Sequence, residues 1–168
     1  MLERFYPREW RDSTYGIPWE EWYEKGIRGA IFDIDNTLVR HDAPASRQAI
    51  AFFQKLHRMG IRTCLLSNNK EPRVAAFGAQ VDSPYIYKSG KPKVAGYKKA
   101  MEQMGTEEKT TLFVGDQLFT DIYGANRAGI YSILVKPIHP KEEIQIVAKR
   151  FLEKIVLYFY KRSRKGTA

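Results

Sequence analysis

Two carboxylates, Asp33 and Asp35, stand at a spacing of two directly after the apolar run Ala30-Ile31-Phe32, and Asn36 and Thr37 follow them. In an extended chain, residues two apart share a face, so both acids are expected to converge on one point. Like charges that close repel each other. A divalent cation relieves the repulsion, and hard oxygen donors favour Mg²⁺. Alone, the pattern reads equally well as a strand end followed by an Asp/Asn turn. Chemistry therefore needs partners elsewhere in the chain. Ser67, Lys91 and Asp116 are candidates, each at or just beyond a stretch that reads as a strand. An acid pair, a hydroxyl, a lysine and a second acid suit phosphoryl transfer. The lysine and hydroxyl hold a phosphate, and Mg²⁺ neutralises charge between phosphate and carboxylate. One carboxylate then attacks phosphorus while its neighbour handles protons. Asp116 completes the metal shell. Asp121 either orients Asp116, holds a metal-bound water, or only stabilises a helix N-terminus.

Alternating segments supply the strand ends. Helical spacing predicts a helix over 45–59 (Ile50, Phe53, Leu56), with Ser46 as N-cap and Gly60 as stop. Further helices are expected over 71–77, 93–104 (closed by Gly105) and 119–128 (closed by Gly129), and strands over 61–66, 84–87, 110–114 and 131–135. Strands alternating with helices imply crossovers and an α/β fold, a mostly parallel sheet covered on both faces. Such sheets bind ligands beyond the carboxyl ends of their strands, where Asp33, Ser67, Lys91 and Asp116 all fall.

The chain of 168 residues is about one domain, and its 43% apolar content argues against disorder. The single cysteine, Cys64, reads as a small buried hydrophobe. No apolar stretch has the length to span a bilayer and the start lacks the apolar core of a secretion signal, so a cytoplasmic protein is expected. A net charge of +9, from 28 basic and 19 acidic residues, favours polyanions: nucleic acid, anionic lipid or phosphorylated substrates. His57, near a helix C-terminus, reads as a surface residue suited to the helix dipole.

Trp19, Trp22 and Tyr23 share one face of a short helix that starts after Pro18, a spacing that favours core packing over a lipid-facing aromatic arm. At the other end, Ile144, Val147, Phe151, Ile155 and Tyr158 fall at helical spacing, with Leu152, Val156 and Phe159 beside them. Lys149, Arg150, Lys154, Lys161, Arg162, Arg164 and Lys165 add a basic side and tail. Such a helix either docks on the sheet with a solvated basic end or lies at an anionic membrane surface. No recognition motif accompanies the charge, which argues against nucleic acid.

Four ordered stretches resemble the motifs of the haloacid dehalogenase (HAD) superfamily of Mg²⁺-dependent phosphohydrolases: Asp33-Ile34-Asp35-Asn36-Thr37, Leu66-Ser67-Asn68, Lys91-Pro92 and Gly115-Asp116-Gln117-Leu118-Phe119-Thr120-Asp121. Asn36, where many relatives have Gly, resembles the IIIA branch. Ser67-Asn68-Asn69, Gly115-Asp116-Gln117 and Asn126-Arg127-Ala128-Gly129 resemble its YqeG-type phosphatases. The resemblance spans about residues 26–138. It implies a three-layer Rossmann-like sandwich and a phosphatase acting through an aspartyl phosphate. Asp33 is then nucleophile and Mg²⁺ ligand. Asp35 is the general acid/base and lends a carbonyl to the metal. Ser67 and Asn68 bind the phosphoryl group, Lys91 offsets its charge, and Asp116 binds Mg²⁺, with Thr37 and Asp121 in support.

The short intervals between these motifs leave no room for a large cap domain, so an open site is expected. Such a site admits large phosphorylated substrates, or small ones if neighbouring subunits of a homo-oligomer supply walls. YqeG-type proteins are similar to fungal phosphatidylglycerophosphate phosphatases, which makes a lipid headgroup a candidate substrate. The organisation expected is an aromatic N-terminal segment (1–26), a phosphatase core (27–138) and a C-terminal amphipathic helix with a basic tail (139–168). The rival reading is a non-catalytic scaffold for RNA or a membrane surface. The complete set Asp33, Asp35, Lys91 and Asp116 argues against it.

Overall fold

The computed structural model describes residues 1–139 and 144–165, without the side chains of 144–147 and 165. Pro140 and the side chains of Ile144, Val147 and Lys165 thus lie outside the described residues. Six strands, β1 (Glu9–Arg11), β2 (Gly29–Phe32), β3 (Arg62–Leu66), β4 (Tyr85–Ile86), β5 (Thr111–Gly115) and β6 (Tyr131–Val135), pair in the order β1-β6-β5-β2-β3-β4. Every pairing is parallel. The helices are α1 (Trp19–Glu24), α2 (Arg47–Met59), α3 (Glu71–Val81), α4 (Val94–Met104), α5 (Tyr123–Arg127) and α6 (Ile144–Lys165).

Strand alternation builds the three layers. On β2, Ala30 and Phe32 face Trp19 of α1, Phe52, Phe53 and Leu56 of α2, and Val74 and Phe77 of α3. Ile31, between them, faces the other way with Cys64 and Phe113, onto Tyr97, Ala100 and Met101 of α4 and Ala125 of α5. Both faces of β2 are therefore buried, as a central parallel strand requires. In α2 the buried residues Ala49, Phe52, Phe53 and Leu56 repeat at helical spacing. Ser46 caps that helix by accepting the Ala49 N–H at 3.1 Å, and Gly60 ends it at φ +86°. The intervals Thr37–Ser67 and Asn68–Lys91 hold only α2 with β3 and α3 with β4, so among the described residues no large cap covers the sheet.

Several details differ from expectation. β1, which the aromatic N-terminal stretch hides, adds a sixth strand at the edge beside β6. Trp19 is buried, while Trp22 only half-buries against Tyr131. His57 is half-buried, its Nε2 2.9 Å from Thr63 Oγ1. The helix expected over 119–128 is instead a π-helical turn, Leu118–Ile122, followed by the short α5.

α6 both docks and remains exposed. Glu153, Val156 and Tyr160 are buried, and Val156 joins Leu118, Ile122 and Leu134 in a small apolar cluster. Phe151, Leu152, Ile155, Tyr158 and Phe159 are exposed by 44–66%. At about 100° per residue these five fall within about 120° of arc, a continuous apolar stripe on the side away from the core.

Candidate active site

The chain runs from β2 outward through β3 to β4, then returns to the opposite side of β2 through β5. The carboxyl ends of β2 and β5 thus flank a switch point, the crevice where open parallel sheets bind ligands. Asp33 follows β2 and Asp116 follows β5 at that crevice, while Ser67 follows β3 and Lys91 sits in the loop after β4.

One carboxylate oxygen from each of Asp33, Asp116 and Asp121 lies within 4.8 Å of the others. The Thr37 hydroxyl is 3.3 Å from Asp33 Oδ2 and 3.2 Å from Asp116 Oδ1. Lys91 is buried and donates from Nζ to Asp33 Oδ1 at 2.6 Å and Asp121 Oδ1 at 2.7 Å. The other Asp121 oxygen accepts the backbone N–H groups of Asp116 and Gln117, each at 3.1 Å. Asp121 therefore braces the Asp116 loop, one of the alternatives left open by the sequence.

The local fold makes this possible. The wide turn Leu118–Ile122 carries Asp121 back over Gly115, where a Cβ would stand 2.5 Å from Asp121 Oδ2. From α4, the Tyr97 hydroxyl donates to the Asp121 carbonyl at 2.9 Å and fixes the turn from below.

Asp35 departs from the expected convergence. β2 ends at Phe32, so strand alternation does not govern the acids. Asn36 takes a left-handed φ of +64°, and the N–H groups of Thr37 and Leu38 turn back to the Ile34 carbonyl. The Asp35 carboxylate then meets its own partners: Arg73 Nη2 at 3.0 Å, Asn69 Nδ2 at 3.4 Å and the Asp42 N–H at 2.8 Å. It is outside the buried acid cluster. It does line the same cavity of about 290 Å³ as Asp33, Ser67, Asn68 and Lys91. Within that cavity Ser67 Oγ accepts the Asn69 N–H at 3.1 Å. Asn68 Oδ1 accepts the Lys91 N–H at 2.8 Å and the Ser89 hydroxyl at 2.9 Å, so its side chain braces the Lys91 loop. A larger hollow, about 480 Å³, lies beside His57, Arg62 and Gln103 toward the opposite ends of the strands, with no carboxylate lining it.

Burial is the main force on the charges here. It raises the Asp33 carboxyl to about 7 against the pull of Lys91, with Asp121 and Asp35 adding to the rise. Burial, then Asp33 and Asp121, hold Asp116 well above the carboxylate range, opposed by Arg150. Burial disfavours the Lys91 charge, but Asp121 and Asp33 outweigh it and keep the ammonium protonated. The donor set fits a small, hard divalent cation. All donors are oxygens, and three buried carboxylates face one lysine and one arginine.

Sequence reasoning missed several participants. Asn69 and Gln117 stood inside the motifs without a role. Arg73, in the first turn of α3, carried no signal. Arg150 read only as part of a basic helix side. It pairs with Asp116 Oδ2 through Nη2 and donates to the Asp116 carbonyl through Nη1.

A six-stranded parallel sheet with this acid cluster at its rim is the architecture of the HAD hydrolases, and the sequence profile of the haloacid dehalogenase-like hydrolases matches residues 43–129. The chain belongs to that family, and it is a phosphatase within it. It is 35% identical over 164 residues to the "Probable phosphatase YqeG" of Bacillus subtilis (strain 168), covering 96% of this chain and 95% of that protein. It is 29% identical over 174 residues to "Phosphatidylglycerophosphate phosphatase 1, chloroplastic/mitochondrial" of Arabidopsis thaliana, and covers 47% of that longer protein. Among solved structures, the fold is similar to a HAD superfamily (subfamily III A) hydrolase from Legionella pneumophila, with a TM-score of 0.54 at 16% identity over 72% of each chain. It is also similar to the deoxy-D-mannose-octulosonate 8-phosphate phosphatase of Haemophilus influenzae, with a TM-score of 0.52 at 17% identity, covering 83% of this chain and 92% of that one.

Proposed function

We propose that this chain is a Mg²⁺-dependent phosphomonoester hydrolase working through an aspartyl phosphate on Asp33, and that it acts on a phosphate carried by a lipid headgroup. The observation that supports the chemistry best is the setting of Asp33. One oxygen is bonded to Lys91, the other faces Thr37 beside Asp116, and Asp35 lines the same cavity.

Asp33 and Asp116, with the backbone carbonyl of Asp35, would hold a Mg²⁺ ion, which would offset charge on the phosphoryl oxygens. An Asp33 oxygen bonds to phosphorus while the bond from phosphorus to the leaving oxygen breaks. Asp35, held at the cavity wall by Arg73, gives that oxygen its proton. A water then attacks phosphorus and passes a proton to Asp35. The bond to Asp33 breaks, releasing inorganic phosphate and restoring the carboxylate. Lys91 offsets phosphoryl charge, Ser67 and Asn68 hold the phosphoryl oxygens, and Thr37 and Asp121 keep the acids in place.

Three observations favour a lipid phosphate. The relative from Arabidopsis is named for phosphatidylglycerophosphate. Among the described residues the rim carries no large cap, which leaves room for the bulk of a lipid. The exposed apolar stripe of α6, with Arg162 within it and Lys154 beside one edge, has the character of an interfacial helix at an anionic membrane surface. Among the described residues no helix is long and apolar enough to cross a membrane.

The test is phosphate release by purified protein from phosphatidylglycerophosphate in mixed micelles, compared with nucleotides, sugar phosphates and phosphopeptides, with and without Mg²⁺. Release from the lipid that needs Mg²⁺ and vanishes in Asp33→Asn is expected. Turnover of small esters with none of the lipid removes the lipid reading. Wild-type turnover by Asp33→Asn removes the nucleophile.

A further inference from the structure

Strand-end loops supply the acids and Lys91 of the site, but Arg150 comes from α6. Arg150 grips Asp116 in two places, Nη1 on its backbone carbonyl and Nη2 on Oδ2. The grip is itself held. Buried Glu153, one turn on, accepts Arg150 Nη1 at 3.0 Å through Oε2 and the Leu118 N–H at 2.8 Å through Oε1. Arg150, Glu153 and the turn that follows Asp116 are thus linked in one network, joined by Val156 packing on Leu118 and Ile122.

With Oδ2 bound to Arg150, Asp116 Oδ1 lies at the Thr37 hydroxyl, which also contacts Asp33 Oδ2. A carboxylate gripped on one oxygen cannot exchange its two oxygens by rotation, so Oδ1 is set in advance toward Asp33. Partners of this kind orient metal-ligating carboxylates, and their loss typically costs about 10- to 100-fold in metal affinity. An opposing effect exists, because the guanidinium charge also repels a cation nearby. Orientation and repulsion predict opposite signs for the loss of Arg150, which makes the measurement decisive.

We propose that Arg150 is a positioning residue of the metal site: through Asp116, α6 completes the divalent-cation site of the phosphatase core. The proposal rests on the assignment of Asp116 as a metal ligand made above. It is tested without turnover, by titrating the full-length protein with Mn²⁺ and following free ion by electron paramagnetic resonance. Asp116→Asn first checks the assignment beneath the proposal. Wild-type Mn²⁺ affinity in that variant removes the metal site, whatever Arg150 does. With that established, Arg150→Ala is expected to weaken Mn²⁺ binding about 10- to 100-fold. Arg150→Lys, which keeps the charge but loses the two-pronged grip, is expected to fall between. Unchanged or tighter binding in Arg150→Ala overturns the proposal, and tighter binding identifies Arg150 as a competitor of the metal. If Arg150→Ala does not fold, Arg150→Gln, which keeps the side-chain length, is read in its place. A purely structural role for Arg150 would lower thermal stability and leave the affinity of the folded fraction where it was.

Discussion

Lys91 and Asp121 form an ion pair at 2.7 Å with almost no solvent on either side, their side chains 3% and 1% exposed. Asp121 belongs to the turn after β5 and Lys91 to the loop after β4, so the pair joins the two wings of the sheet across β2. Breaking one partner of a buried pair strands the other charge. Asp121→Asn is expected to destabilise the fold by about 3 kcal/mol and to lower turnover, since it loosens both Lys91 and the Asp116 loop. Urea unfolding at pH 7 checks the first effect; loss of a clear stability difference would show that Asp33 alone satisfies Lys91.

Gly115 is there for room. A Cβ would lie 2.5–2.7 Å from three atoms of Asp121. Gly115→Ala is expected to cost about 1–3 kcal/mol as Asp121 is pushed off the Asp116 N–H. Gly16→Ala, where nothing lies within 4 Å of the new methyl, serves as the control. Chemical unfolding of both variants, with phosphatase assays, separates crowding from loss of a glycine as such.

Asp33→Asn carries a pH signature besides loss of turnover. Burial raises the Asp33 carboxyl from 3.8 to about 7, so the folded state binds its proton more tightly than the unfolded state. Its contribution to stability is present in full below pH 3.8 and lost as pH rises through about 7. In metal-free protein the melting temperature of Asp33→Asn is therefore expected to gain on wild type as pH rises from 4 to 8. Melts in EDTA across that range test this; a constant difference means the charge of Asp33 is fully compensated by Lys91.

Cys64 is buried with Leu66 behind α4, and burial pushes its thiol from 9.0 up to about 12. A rise of that size reduces the thiolate about a thousandfold near pH 8. Iodoacetamide is expected to leave the native protein unmodified at pH 8 over hours, and to label it rapidly in urea. Mass spectrometry reads both.

On α6, replacing Phe151, Ile155 and Phe159 with serine removes three of the five exposed apolar side chains without touching Glu153, Val156 or Tyr160. Sedimentation with vesicles rich in phosphatidylglycerol is expected to fall at least about tenfold, while binding by wild type weakens with salt. Equal sedimentation of both proteins would remove the membrane assignment.

The fold was legible wherever burial on both faces writes an uninterrupted apolar run, as in Ala30-Ile31-Phe32 and Leu112-Phe113-Val114. β1 was not. An edge strand buries little, so Glu9-Trp10-Arg11 carries no such run, and the aromatics around it suggested packing alone. The rim candidates Asp33, Ser67, Lys91 and Asp116 were legible because strand ends mark them. The orientation of Asp35 was not, because β2 ends at Phe32, three residues before it, and the backbone turns at Asn36. Arg150 meets Asp116 across 34 positions of sequence. No local periodicity encodes a contact of that range.

The two outermost strands are very short, three residues in β1 and two in β4, and β1 carries the paired charges of Glu9 and Arg11. Such margins offer few unpaired backbone groups to a visiting chain, so the sheet is poorly suited to growing by strand addition. Any self-association at high concentration should then proceed through the greasy flank of α6. Detergent or lipid, not altered strand sequence, is the remedy that follows.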